Sequence, residues 1–251
     1  MIFFDRVEFR YNEKSETSFN LKEVSFSCQK GLINGVIGGN GSGKSTVARL
    51  MAGMIQPLAG TIKVDGASPF AHIIQCGFLA GIIFQNPENQ IVGTTVEEDL
   101  AFGLENLSLD REQMHSRVAE IARRFNLYDL LKAPVANLSG GQKQLLCIAS
   151  VMVMEPSWLI FDEPSSHLDP WARQDFWQIV KSFICEKDIG VVVISQLPED
   201  MQHFSHILAF DAGALVFDGT SNQFKKAAIG NTCFNLPESW KFERLMQISN
   251  D

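Results

Sequence analysis

Gly38-Gly39-Asn40-Gly41-Ser42-Gly43-Lys44-Ser45-Thr46 decides how this chain folds, because of what stands on either side of it. Before it runs a short apolar segment, residues 32–37; after it Val47, Leu50, Met51 and Met54 recur at i, i+3, i+4 and i+7. The spacing GxxxxGK[ST] at the junction of a buried strand and an amphipathic helix is that of a phosphate loop. Glycines let the backbone curl until successive N–H groups face one anion, and the helix start adds positive partial charge. In such a loop Lys44 reaches the terminal phosphates and Ser45 ligates Mg²⁺. Four fixed positions match by chance in roughly one chain in a hundred of this length, and the flanking strand and helix argue further against an ordinary glycine turn.

Two more stretches bear on the same chemistry. Leu159-Ile160-Phe161-Asp162-Glu163-Pro164 is an apolar strand ending in two carboxylates. Alone it reads as a solvated turn; downstream of a phosphate loop, Asp162 is suited to hold Mg²⁺ opposite Ser45, and Glu163 to polarise the water that attacks a γ-phosphate. Leu138-Ser139-Gly140-Gly141-Gln142 opens a helix with Leu145, Ile148, Ala149 and Met152 on one face. It describes a helix cap as well as it describes a second anion-ready helix start.

Around these stretches the pattern is that of an α/β protein. Residues 2–10 and 19–28 alternate apolar with polar, predicting two antiparallel strands about a polar turn. Residues 61–64 and 78–84 read as strands. Met114, Val118, Ile121, Ala122 and Phe125 mark one face of a helix, and the middle third is mostly helical. From Trp158 on, strands at 158–161, 191–194, 207–210 and 214–217 alternate with helical segments at 171–185 and 224–228, which predicts a parallel sheet with crossover helices.

Composition removes other classes. The 251 residues suffice for a full α/β core. Lys and Arg number 21 against 29 Asp and Glu, a net charge of −8, which opposes a general grip on nucleic acid. The five cysteines (Cys28, Cys76, Cys147, Cys185, Cys233) form no CxxC pair, and charges at Asp5 and Arg6 interrupt any secretory segment, so a reducing cytosolic address is expected. Sequons at Asn106 and Asn137 are then irrelevant. The longest apolar stretches, 73–84 and 147–154, fall short of a membrane span. His72, His115, His203 and His206 offer no metal spacing.

The phosphate loop, LSGGQ, LIFDEP and then Ser166-His167-Leu168-Asp169, in this order, resemble the ATP-binding-cassette (ABC) ATPases over roughly residues 1 to 225. The resemblance implies a P-loop α/β core with an antiparallel β subdomain and an inserted helical subdomain at about 86–137, within an ATPase domain of residues 1–230 followed by a helical tail, 231–251. It implies that ATP and Mg²⁺ bind at Gly38 to Thr46, Gln85 and Asp162, with Tyr11 stacking on adenine. Mg²⁺ would fall to Ser45, Gln85 and Asp162. Leu138, Ser139, Gly140, Gly141 and Gln142 would serve the ATP of a partner cassette, Asp169 would cross the dimer seam, and Glu163 would act in hydrolysis. Phe84-Gln85-Asn86-Pro87-Glu88-Asn89-Gln90, followed by residues 92–106, is similar more narrowly to the ATPases of energy-coupling-factor (ECF) transporters, which import vitamins or transition-metal ions. That implies a second ATPase subunit, identical or not, a transmembrane coupling protein and a substrate-binding membrane component. The chain would then work at the cytoplasmic face of the membrane.

The pattern departs at Ser195-Gln196, where the family usually reads Thr-His. A glutamine amide can donate one hydrogen bond, but it exchanges no proton near neutral pH, so a slow site is expected. Leu145 stands where arginine is common, and His167 at a variable position. The competing readings are a soluble cassette ATPase, as in iron–sulfur assembly, and a cassette that clamps ATP with little hydrolysis. A chromosome or DNA-repair cassette fails because residues 44–139 leave no room for a long coiled coil.

Overall fold

Strand β1 (Ile2–Arg10) pairs antiparallel with β2 (Asn20–Cys28) on one edge and with β4 (Ala59–Val64) on the other, giving a three-stranded sheet ordered β2-β1-β4. Ile2, Phe4, Val7 and Phe9 are buried, and the step from Phe4 to Val7 is three residues rather than two. The register shifts there, and Arg6 takes a φ of 47°. A bulge thus keeps both apolar halves of the strand on one face.

The computed structural model describes residues 1–11, 19–76, 78–107, 109–166, 168–186, 189–227, 234 and 236–240, without the side chains of 73–76, 106, 185 and 186. The expectations for His167, Cys233 and the tail helix beyond residue 240 lie outside the described residues, as do the side chains of Cys76, Asn106 and Cys185.

A second sheet of six strands has the order β5 (Ala80–Ile83), β6 (Trp158–Asp162), β7 (Gly190–Ser195), β3 (Ile33–Gly38), β8 (His206–Asp211) and β9 (Ala214–Thr220). The first five are parallel. The last is not: β9 runs antiparallel to β8, against the all-parallel expectation. Only Ala212 and Gly213 join them, both at positive φ (45° and 81°). A two-residue turn of that kind makes a hairpin, whereas a parallel return needs a dozen residues or more.

Side chains leave successive strand residues on opposite faces. Leu159, Phe161, Val191 and Val193 enter one apolar cluster; Trp158, Ile160, Val192 and Ile194 enter another. The second lies under α1 (Lys44–Met51) and the three-stranded sheet. The first is covered by α5 (Gly140–Met152) and α6 (Pro170–Glu186), and it continues into α3 (Val96–Phe102) and α4 (Arg111–Arg124). The elements described between β5 and α5 are helical, with 3-10 turns at Pro87–Asn89, Leu104–Leu107, Tyr128–Leu130 and Val135–Asn137 beside α3 and α4. Thr95 with Glu98, and Asp110 with Gln113, form capping boxes that start α3 and α4.

Four details correct the sequence reading. Met54 lies beyond the end of α1 and is half exposed. Strand β5 is four residues long instead of seven, since Phe78 is exposed and the Phe84 N–H leaves the sheet for Gln90 Oε1 at 2.9 Å. A helix, α2 (Pro69–Cys76), occupies part of the run 73–84 that periodicity left as an apolar stretch. Finally, α5 buries Gln144, Leu146, Cys147 and Val151 besides its foreseen face, because helices pack on more than one side of it. Among the described residues no helix is long and apolar enough to cross a membrane.

Candidate functional site

The five parallel strands end on one side of the sheet, and in open α/β sheets ligands bind outside the carboxyl ends of the strands, near the point where the strand order reverses. Here that point is β3, with β7 on one side and β8 on the other. The loop after β3 is the phosphate loop; β6 delivers Asp162 and Glu163, β7 delivers Ser195 and Gln196, and β5 leads to Gln85.

The phosphate loop needs its glycines for stated reasons. Gly41 and Gly43 have φ of 76° and 107°, and Gly43 is the residue from which α1 starts. A Cβ on Gly38 would meet the Phe210 carbonyl oxygen at 2.3 Å, so the loop can lie against β8 only without one. Lys44 is buried and reaches back across the loop, its Nζ donating to the carbonyls of Gly38 at 3.0 Å and Gly39 at 2.9 Å. Burial pushes the Lys44 pKa down, opposed by the nearby charges of Glu163 and Asp162. Such an ammonium gains strongly from an anion.

Ser45 Oγ donates to Asp162 Oδ1 at 3.2 Å, across 117 residues of sequence. Burial pushes the Asp162 pKa up; the Ser45 hydroxyl pulls it down, Glu163 raises it, and Arg49 and Lys44 lower it. A hydroxyl and a carboxylate side by side, next to a phosphate cradle, are hard oxygen donors of the kind Mg²⁺ takes together with phosphate oxygens and water. The donor set therefore fits that ion.

Glu163 stands one residue beyond β6 with a φ of 54°, a left-handed conformation uncommon outside glycine. Its N–H donates to Ile194 O at 3.0 Å, which pins the kink to β7. The side chain then meets Gln196, whose Nε2 donates to Glu163 Oε1. Gln85 Nε2 donates to Ser166 Oγ at 3.1 Å, and Ser166 Oγ donates to the Glu163 carbonyl at 2.9 Å. Tyr11 is half exposed at the end of β1, and its hydroxyl lies 3.3 Å from Thr46 Oγ1 and accepts from Arg49 Nη1 at 2.9 Å. The structure thus brings together at the strand ends Tyr11, the loop, Gln85, Asp162, Glu163 and Gln196.

Leu138 to Gln142 lie elsewhere. Ser139 caps α5, its Oγ accepting from Gln142 N at 3.3 Å while Gln142 Oε1 accepts from Ser139 N at 2.9 Å. Leu138 is buried; Ser139, Gly140 and Gly141 are exposed. The two glycines line a groove of 520 Å³ together with Gln85, Pro164 and Asp169. Asp169 Oδ1 also accepts from Trp171 N and Ala172 N, opening α6. The start of α5 is thus exposed and borders the same groove as Gln85 and Asp169.

Sequence reasoning missed Asp99 and Arg49. Asp99, buried in the first turn of α3, accepts from Val92 N at 2.8 Å, Gly93 N at 3.0 Å and Ser150 Oγ at 2.6 Å, which fixes the segment after Gln85. Asp99 is the third of three consecutive acidic residues that open α3, so nothing in the sequence singles it out from Glu97 and Glu98.

Residues 21–166 match the family described as ABC transporter. The chain is similar to the energy-coupling factor transporter ATP-binding protein EcfA1 of Enterococcus faecalis, 39% identical over 224 residues, 89% of this chain and 80% of that one. It is also similar to EcfA1 of Staphylococcus aureus strain RF122, 37% identical over 237 residues, 94% of this chain and 87% of that one. Among solved structures it is similar to CbiO1 of Clostridium perfringens, described as part of the ABC transporter complex CbiONQ: TM-score 0.77, 25% identity, 92% of this chain and 95% of that one. The fold also matches the dimeric ATP-binding cassette MJ0796 bound to ADP and Pi, with TM-score 0.75, 22% identity, 88% of this chain and 99% of that one.

Proposed function

The chain belongs to the ABC transporter family, and from that premise we propose that it is the ATP-binding and ATP-hydrolysing subunit of an ECF-type importer, driving uptake of a vitamin or transition-metal ion through membrane partners. The single observation that carries the chemistry is the meeting of Lys44, Ser45, Asp162, Glu163 and Gln196 at the ends of β3, β6 and β7.

In this reading the phosphate loop's N–H groups and Lys44 hold the β- and γ-phosphates, and Tyr11 offers its half-exposed ring to adenine. Ser45, Asp162 and Gln85 would hold Mg²⁺, which would offset the charge of the phosphate oxygens. Glu163 Oε2, the oxygen not engaged by Gln196, takes the proton of the attacking water. Ser139, Gly140 and Gly141 donate to the ATP of a second cassette, identical or not, and Asp169 lies at the seam. Binding draws the cassettes together because the phosphates then meet positive helix ends from both; hydrolysis releases them. The division into an ATPase domain, 1–230, with a helical insertion at about 86–137 and a tail, 231–251, goes with this reading. The transmembrane coupling protein docks on the groove of 350 Å³ where Val92, Ala101, Phe102 and Met114 meet. Val92 is 61% exposed and Phe102 50% exposed, so the groove presents apolar side chains to solvent. Docking there places the chain at the cytoplasmic face of the membrane beside a substrate-binding component.

A second reading, a cassette that binds ATP and hydrolyses it slowly, is favoured by Gln196. Its Nε2 occupies one oxygen of the Glu163 carboxylate, and a glutamine amide exchanges no proton near neutral pH. One experiment separates the two: single-turnover hydrolysis by wild type, Glu163→Gln and Gln196→His. The ATPase reading expects Glu163→Gln to bind ATP and lose at least about 100-fold in rate, as removal of a general base does. Equal rates in wild type and Glu163→Gln refute it. A rise in rate for Gln196→His supports the slow site, and no change removes it.

A further inference from the structure

Behind the Glu163–Gln196 pair a single carboxylate joins the two strand ends. Asp200, in the 3-10 turn Pro198–His203, is fully buried. Its Oδ2 accepts from Ser165 Oγ and, at 2.6 Å, from Ser195 Oγ; its Oδ1 accepts from Trp177 Nε1 at 3.1 Å. All three donors are buried as well, with Ser165 at 0%, Ser195 at 2% and Trp177 at 3% exposure. Ser165 is the second residue after Glu163, Ser195 is the residue before Gln196, and Trp177 belongs to α6. Ser195 Oγ also accepts from Leu197 N at 3.0 Å, so its one proton is committed to Asp200.

Burying a carboxylate is costly, and an apolar side chain of similar volume would fill the space at lower cost. What an apolar side chain lacks is the ability to hold two hydroxyls and an indole N–H at fixed directions around one point. Hydrogen bonds to a charged acceptor are shorter and stiffer than neutral ones. The points so fixed are the loop after β6, two residues past Glu163, the last residue of β7, next to Gln196, and the helix that follows Asp169.

We infer that Asp200 is a positioning residue for ATP hydrolysis, setting the separation of Glu163 and Gln196 through Ser165 and Ser195 without touching the nucleotide. The inference rests on the reading of the chain as an ATPase.

The test uses the whole chain carrying Asp200→Asn, Ser165→Ala, Ser195→Ala, Gln196→Ala and the double variant Ser195→Ala/Gln196→Ala. Equilibrium ATP binding, single-turnover hydrolysis and Tm are measured for each. Asp200→Asn is expected to lose about tenfold or more in rate and each serine variant about 3- to 10-fold, with the ATP Kd within about twofold of wild type. In the Gln196→Ala background the loss on adding Ser195→Ala shrinks to below about twofold, since the group it positions is gone. The serine variants each delete one oxygen and stand in if Asp200→Asn does not fold. Loss of binding and hydrolysis in parallel with Tm, or additive losses in the double variant, overturns the positioning role while wild-type hydrolysis leaves the ATPase reading intact. A wild-type chain that binds ATP and never hydrolyses it overturns the ATPase reading, and the inference with it.

Discussion

Ser139 does two jobs that can be separated, because a hydroxyl carries two lone pairs and one proton. One lone pair accepts from Gln142 N at 3.3 Å and caps α5. The proton is left to donate to an anion, which is the proposed contact with a partner's ATP. Replacement by alanine removes both, and the cap alone is worth about 1 kcal/mol, or a fall in Tm of about 2–4 °C for a chain of this size. Loss of a hydrogen bond to a charged phosphate is worth about 1.5–3 kcal/mol, or about 10- to 150-fold in turnover. Ser139→Asp keeps the cap and improves the match to the helix dipole. It also sets a negative charge where the phosphate is to sit. The expected pattern is therefore a lowered Tm and low turnover for Ser139→Ala, and a wild-type or higher Tm with turnover lost for Ser139→Asp. Thermal melts of the chain alone and steady-state hydrolysis by the assembled cassette pair are the assays. An unchanged Tm in Ser139→Ala refutes the capping role, and wild-type turnover in Ser139→Asp refutes the role of this helix start in binding ATP.

Two further outcomes follow from the buried groups. Burial raises the Asp162 pKa in the folded chain, so the fold is favoured most while that group is protonated, and the benefit is lost as pH rises through the folded value. Asp162→Asn is thus expected to melt above wild type at pH 7 without nucleotide, the gap closing below the ordinary carboxylate range; a gap independent of pH from 4 to 7 contradicts the cause given. Gly190 opens β7 where a Cβ would lie 2.3 Å from the ring of the fully buried Trp158, so Gly190→Ala is expected to cost about 2–3 kcal/mol by overpacking, measured by denaturant titration, and a cost near zero would show that the ring can retreat.

The phosphate loop, the cap of α5, and the alternation that makes β1 and β2 were legible because each is settled within a few residues. A glycine at positive φ, a side chain capping the N–H three residues on and a period of two are local demands on the backbone, and the chain must carry residues that meet them. The antiparallel β9 is encoded just as locally: Ala212-Gly213 between β8 and β9 is too short for a crossover and sets a hairpin. Strand β5 and helix α2 shared one apolar run, which periodicity cannot divide.

The identities of Asp162, Glu163 and Gln196 were likewise written in the chain. That Gln196 donates to Glu163, that Ser45 meets Asp162, and that Asp200 holds Ser165 and Ser195 depended on β6, β7 and β3 lying side by side. These partners are separated by 33, 117, 35 and 5 residues, and for the first three no local pattern encodes the pairing. Strand order is chosen by which apolar faces can be buried together, a property of the whole sheet and its covering helices. The sequence alone therefore determined which groups could do chemistry on a phosphate, and only the packed sheet decided which of them touch.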